Sequence, residues 1–202
     1  MARSRAVAVG RKQRWLAFGE VAHRARQGKQ GERVMGIEIE RKFLVCDASW
    51  RTHIKQSQPM AQGYLAASPG TTVRVRVAGA EAFLTLKGPV KELARAEFEY
   101  AIPVEEAREM LALFCEGHRL EKVRHEVEVG EHLWEIDEFT GENQGLIVAE
   151  VELASADEAF VRPRWLGAEV SGMPRYYNSQ LVVRPFACWS EAEQRGEVSC
   201  RE

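Results

Sequence analysis

The sequence predicts a β-dominated α+β domain, an eight-stranded antiparallel β-barrel with a few short helices, and three observations lead there. Short segments in which apolar and polar residues alternate follow one another through most of the chain, the period expected of half-buried strands. Turn residues separate many of them at short intervals, which favours antiparallel neighbours. Helix-like patterning is confined to a few short stretches, so a barrel or sandwich is the architecture expected.

The strands are expected at 36–45, 61–66, 72–77, 82–87, 94–102, 119–129, 132–139 and 146–153. Ser68-Pro69-Gly70, Ala78-Gly79, Gly88-Pro89, Gly130 and Gly141 supply turns between them. Glycine reaches positive φ without a steric penalty and proline presets φ, so both suit reversals. Residues 103–114 read as one helix, with Glu105 and Glu106 in its first turn, where carboxylates face the positive end of the helix dipole. A second helical patch at 157–165 is interrupted by Pro163, and a third, short one follows Pro174.

At 202 residues, with 45% hydrophobic and 29% charged residues, the chain suffices for one packed domain with a normal core. That domain is expected at 35–186, followed by a polar tail at 187–202. Residues 1–34 are expected as a disordered basic extension: Arg3, Arg5, Arg11, Lys12, Arg14, Arg24, Arg26, Lys29 and Arg33 stand there against Glu20 and Glu32. A nucleic-acid or membrane-surface arm and an upstream extension of a chain starting at Met35 compete there, and the last is preferred because Met35 directly precedes the first strong strand. The net charge of -2 argues against a general nucleic-acid binder. Nothing approaches the roughly 18–20 apolar residues that span a bilayer, and the N-terminus lacks the pattern of a signal peptide. Cys46, Cys115, Cys188 and Cys200 form no CxxC pair, so neither a zinc site nor an oxidising compartment is called for. The cytoplasm is the expected location, and the oligomeric state is open, with a homodimer allowed.

The faces of the strands carry the chemistry. Glu38, Glu40 and Lys42 share one face of the first strand. Arg74 and Arg76 share a face of the third, and Lys87 closes the fourth. Glu97 with Glu99, Lys122 with Arg124, Glu135 with Asp137, and Glu150 with Glu152 repeat the pattern. Any one of these could be a solvated outer face. The sorting by sign argues otherwise, because cross-strand pairing on a solvated sheet favours opposite charges. Clustered carboxylates call for a divalent cation with hard oxygen ligands. Clustered Arg and Lys call for a polyanion, and the arginine fork suits phosphate oxygens. Metal and phosphate sharing one lumen is the combined expectation.

Glu38-Ile39-Glu40-Arg41-Lys42 fits the pattern ExExK. It is followed in order by Gln62-Gly63-Tyr64-Leu65, Val73-Arg74-Val75-Arg76, Leu84-Thr85-Leu86-Lys87, Glu97-Phe98-Glu99-Tyr100, Glu121-Lys122-Val123-Arg124, Trp134-Glu135-Ile136-Asp137-Glu138-Phe139 and Ala149-Glu150-Val151-Glu152. In this series, over about 35–186, the chain resembles the CYTH superfamily of triphosphate tunnel metalloenzymes. The resemblance implies a tunnel that binds a small triphosphate with Mg²⁺ or Mn²⁺. Lys42, Arg74, Arg76, Lys87, Lys122 and Arg124 would contact phosphates. Glu38, Glu40, Asp137, Glu150 and Glu152 would hold the metal, with Glu135 nearby and Glu97 and Glu99 spacing the basic residues. The Gly-Tyr-Leu strand is similar to that of small bacterial inorganic triphosphatases, in which a Tyr–Lys pair, here Tyr64 and Lys42, is expected to activate the attacking water. A lysine does this only with a lowered pKa. In one departure, Arg175-Tyr176-Tyr177-Asn178 stands where relatives often carry Arg-Tyr-Lys-Asn; Arg175 is the expected substitute for that lysine. Tripolyphosphate hydrolysis is thus the leading expectation. A class IV adenylyl cyclase, a thiamine triphosphatase and a non-catalytic polyphosphate-binding barrel are the competitors.

Overall fold

Nine strands make one antiparallel sheet in the computed structural model, which describes residues 34–68, 70–89 and 94–196, apart from the side chains of 34–38, 67–68 and 94–95. The expected N-terminal extension lies outside the described residues, as does the side chain of Glu38. In chain order the strands are β1 (Val34–Val45), β2 (Ile54–Ser68), β3 (Thr71–Ala78), β4 (Glu81–Lys87), β5 (Ala94–Ala101), β6 (Arg119–Val129), β7 (His132–Phe139), β8 (Ile147–Glu152) and β9 (Leu166–Glu169). The hydrogen-bonded order is β5-β4-β3-β2-β6-β7-β8-β1-β9, and β5 pairs with β1 as well. The first strand makes that return by dividing its length: Val34 to Ile39 pair with β5, and Glu40 to Leu44 pair with β8. The eight expected strands therefore follow one another around a ring of pairings, with β9 added beside β1.

Three apolar clusters hold this sheet. Outside β1, β7 and β8, Phe43, Trp134, Ile136, Ala149 and Val151 pack with Trp50, Leu153 and Trp165. Phe160 meets Trp134 edge-on at 5.6 Å, and Trp165 does so at 5.4 Å. These two anchors explain why 157–165 is not the helix its composition suggested. Residues 154–165 run as turns and extended chain over β7, because aromatic packing outweighs a weak helical preference already broken by Pro163. Outside β2, β3 and β4 lies helix α1 (Val104–Phe114), which buries Ala107 and Leu111, with Cys115 one turn further on. The fit is tight at Gly63, where an added methyl group would stand 2.6 Å from Cys115.

The third cluster corrects the expected C-terminal boundary. Inward-facing Leu120, Phe139 and Val148 pack with Val170, Tyr176, Leu181, Val182 and Trp189. The segment includes helices α2 (Asn178–Val183) and α3 (Glu191–Gln194), so the packed chain continues beyond residue 186. Ser190 and Glu193 form a capping box at α3, and Arg184 grips Glu193 with two hydrogen bonds, at 3.0 and 2.8 Å. Strand β2 begins seven residues earlier than expected, through Lys55-Gln56-Ser57-Gln58-Pro59. Pro59 is accommodated because β3 pairs only from Met60 onward, so the strand is an edge on that side. No described helix is long and apolar enough to cross a membrane.

Candidate active site

Strand alternation fixes which side chains enter the ring. On β2 and β3, Ala61, Leu65, Val75 and Val77 pack outward against α1 and its surroundings, so Gln62, Arg74 and Arg76 point inward. On β6, β7 and β8, Val127, Trp134, Ile136, Ala149 and Val151 face out, which turns Lys122, Arg124, Glu135, Asp137 and Glu150 in. The same rule brings in Glu40 and Lys42 from β1, Thr85 and Lys87 from β4, and Glu97 and Glu99 from β5. Lys42, Arg74, Lys87, Lys122, Asp137 and Glu150 are all buried, and Asp137 has no exposed surface. A solvated outer face is thereby excluded for these residues.

Such charges survive burial only when paired. Arg124 lies at the centre of one network: its Nε donates to Asp137 Oδ1 at 2.7 Å and its Nη2 to Asp137 Oδ2 at 2.7 Å and Glu150 Oε2 at 2.9 Å. It also pairs with Glu135, and Lys122 pairs with Asp137. Lys42 Nζ stands 2.7 Å from Glu150 and 3.7 Å from Glu40. On the other side, Arg76 reaches Glu99 at 3.0 Å and Lys87 reaches Glu97 at 3.0 Å. Thr85 donates its hydroxyl to Glu99 at 2.8 Å and accepts from Arg74 at 3.1 Å. Glu97 and Glu99 thus bind the basic residues that they were expected to space.

The electrostatics follow from burial set against these partners. Burial disfavours the charge on Lys42, but the carboxylates of Glu150, Glu40 and Asp137 outweigh it and raise its pKa. That is the opposite of what a general base needs, so the expected base role of Lys42 finds no support in this geometry. Burial, with Arg124 alongside, pushes Lys122 down to about 8. Burial and the neighbouring charge of Arg74 lower Arg76 to about 10. Glu150 is held well below the usual carboxylate range: burial opposes ionisation, but Lys42 and Arg124 prevail. A cation pushed down by like charges gains from an incoming anion.

The register narrows the metal argument. Sorting by sign does not leave every like-charged strand unbalanced, because basic β6 lies beside acidic β7, and basic β4, next to basic β3, lies beside acidic β5. Acid stands directly opposite acid in the pairs Glu40 with Glu152 and Glu135 with Glu150, between β1, β8 and β7. Directly opposed like charges repel. Oxygen-only donors of this kind fit a hard divalent ion, while Asp137 and Glu150 are engaged by cations. Among the described residues, no three His, Cys, Asp or Glu side chains are already gathered around a metal position.

Tyr64 accepts a hydrogen bond at its hydroxyl from Gln62 Nε2, at 3.1 Å. Arg175 does not replace the missing lysine: it lies 3.5 Å from Glu193 and stacks on Trp189, serving the C-terminal segment. Tyr177 precedes α2 as its N-terminal flanking residue. Gln62 and Thr85 went unassigned as site residues, although their inward parity beside Arg74 and Arg76 was visible in the alternation.

A CYTH domain model matches residues 36–177. The inorganic triphosphatase of Acetivibrio thermocellus is 42% identical over 157 residues, 78% of this chain and 100% of the relative. That of Nitrosomonas europaea is 39% identical over 150 residues, 72% of this chain and 97% of the relative. A crystal structure of an inorganic triphosphatase matches with a TM-score of 0.53 and 38% identity, covering 72% of this chain and 94% of that one.

Proposed function

This chain belongs to the CYTH domain family, and on that premise we propose that it hydrolyses a linear triphosphate, inorganic tripolyphosphate by preference, to pyrophosphate and phosphate with the help of a divalent cation. The carrying observation is the inward wall on which Lys42, Arg74, Lys87 and Lys122 are buried together with Arg76 and Arg124. These six cations present donors to an anion with many terminal oxygens. An incoming triphosphate competes with Glu99 for Arg74 and Arg76, with Glu97 for Lys87, and with Glu150 for Lys42. The arginine forks fix the orientation of the chain of phosphates, and the lysines neutralise its charge.

Glu40, Glu150 and Glu152, with Asp137 beside them and Glu38 on the same strand face, are the residues that would hold Mg²⁺ or Mn²⁺. The cation, once bound, would polarise a phosphoryl oxygen and acidify water. Lys42 stays protonated beside Glu150 and serves phosphate binding, and Tyr64 acts as a hydrogen-bonding group beside Gln62. Cytoplasmic location remains part of the proposal.

The test is direct. The purified chain is incubated with tripolyphosphate, ATP or thiamine triphosphate, with Mg²⁺, Mn²⁺ or EDTA, and phosphate, pyrophosphate and cyclic AMP are measured. Metal-dependent pyrophosphate and phosphate from tripolyphosphate, in preference to the organic triphosphates, is the expected result. Equal release in EDTA refutes the metal role, and cyclic AMP from ATP replaces the triphosphatase with a cyclase.

A further inference from the structure

Gln62 is 1% exposed and projects into the ring, with Arg76 of β3 and Leu120 of β6 as its cross-strand partners. The strand is packed closely behind it, where a methyl group added at Gly63 would stand 2.6 Å from Cys115. The amide nitrogen is committed to the Tyr64 hydroxyl. The amide oxygen, Oε1, is buried and meets no donor from the protein, and the Nε–H groups of Arg74 and Arg76 are buried without an acceptor. Half-satisfied amides are costly in a protein interior, and methionine or leucine would fill similar space without that cost.

The bare groups differ in kind: one is an acceptor and two are donors. An ionised phosphoryl oxygen can only accept, so it suits the guanidinium N–H groups and not the amide oxygen. Water both donates and accepts, so one water molecule can meet the needs of Gln62 Oε1 and an arginine N–H together. Resting on the triphosphatase reading above, we propose that Gln62 Oε1, with Arg76 beside it, holds the attacking water against the terminal phosphorus. The water oxygen forms the new P–O bond, and the bridging P–O bond breaks with its electron pair leaving on pyrophosphate. The water proton passes to a phosphoryl oxygen and on to solvent. Gln62 takes no proton; it accepts a hydrogen bond and so aims a lone pair.

Steady-state hydrolysis of tripolyphosphate by wild type, Gln62→Met and Gln62→Glu, with thermal unfolding of each, tests this. Gln62→Met is expected to lower kcat roughly 10- to 100-fold, at the low end of positioned proton-handling groups, with KM within about threefold and Tm unchanged or higher. Gln62→Glu keeps an acceptor and is expected to retain more kcat than Gln62→Met, with a raised KM from its added charge. An unchanged kcat in Gln62→Met overturns the inference, and so does a raised KM at constant kcat, which would mean that the amide touches phosphate instead. A crystal structure with no water within about 3.2 Å of Oε1 overturns it as well. If wild type itself releases no phosphate, the triphosphatase reading fails and the inference falls with it. If wild type turns over and Gln62→Met matches its kcat, the Gln62 inference fails alone.

Discussion

The wall formed by β6, β7, β8 and β1 and the wall formed by β3, β4 and β5 share one alternation, charge inside and apolar side chains outside, yet they are built to different depths. Behind the first lies an aromatic layer of Phe43, Trp134, Phe160 and Trp165. Its carboxylate Asp137 is wholly buried and bound by both Lys122 and Arg124. Behind the second, α1 covers β3 and part of β4, while Leu86 and Tyr100 remain 36% and 40% exposed. Its carboxylates Glu97 and Glu99 keep 19% and 25% of their side-chain surface. Removing the wholly buried charge of Asp137 from the first wall is therefore an event in stability, and removing a charge from the second is an event in binding.

Three substitutions test that difference, beginning with the largest effect, and a fourth outside both walls is the control. Asp137→Ala leaves Lys122 and Arg124 buried without their shared partner, and is expected to cost about 3–5 kcal/mol in unfolding free energy. Urea unfolding measures it, and a cost below about 1 kcal/mol would make the two walls equivalent. Glu150→Gln keeps the shape of the side chain, so the fold should survive. Loss of its charge from the contact with Lys42 and from the proposed metal site should reduce kcat on tripolyphosphate about 100-fold, comparable to removing a strong electrostatic group from a transition state.

Arg76→Gln, on the thinner wall, should raise KM for tripolyphosphate roughly tenfold, the lower end for a charge-assisted hydrogen bond. Unfolding free energy should change by less than about 1 kcal/mol, since burial and Arg74 already oppose its charge. Glu193→Gln lies outside both walls and should leave turnover unchanged. Arg184 and the Ser190 backbone hold the Glu193 carboxyl at about 2, below its ordinary 4.5. A depressed carboxyl pKa contributes stability that is present above the ordinary value and is lost as pH falls toward the folded one. The Tm difference between wild type and variant should therefore be largest near neutrality and shrink between pH 4.5 and 2; a difference independent of pH would remove the ion pair from the account.

Most of the barrel was legible because alternation is a local signal, and the inward placement of Lys42, Arg74, Arg76, Lys87, Lys122 and Asp137 follows from parity alone. What parity omits is the neighbour. Strand order puts Arg124 opposite Asp137, and that contact decides how much of an acidic cluster is left for a cation. Strand β9 escaped notice because Leu166-Gly167-Ala168-Glu169 is short and interrupted by glycine. The glycine is needed where the chain passes so close to Leu44 that an added methyl would stand 3.0 Å from its carbonyl oxygen. The C-terminal segment looked like a polar tail because Trp189 is its single aromatic residue; its burial depends on Tyr176 and Phe186, which meet it edge-on.

Where Leu120, Phe139 and Val148 meet Tyr176, Leu181 and Trp189, the interior of the ring turns from charged to apolar. An apolar surface offers a polyanion no donors in exchange for its water, so phosphates gain nothing by advancing into that part of the interior. The reach of the cations, and not the length of the strands, then sets how many phosphates the site can hold at once.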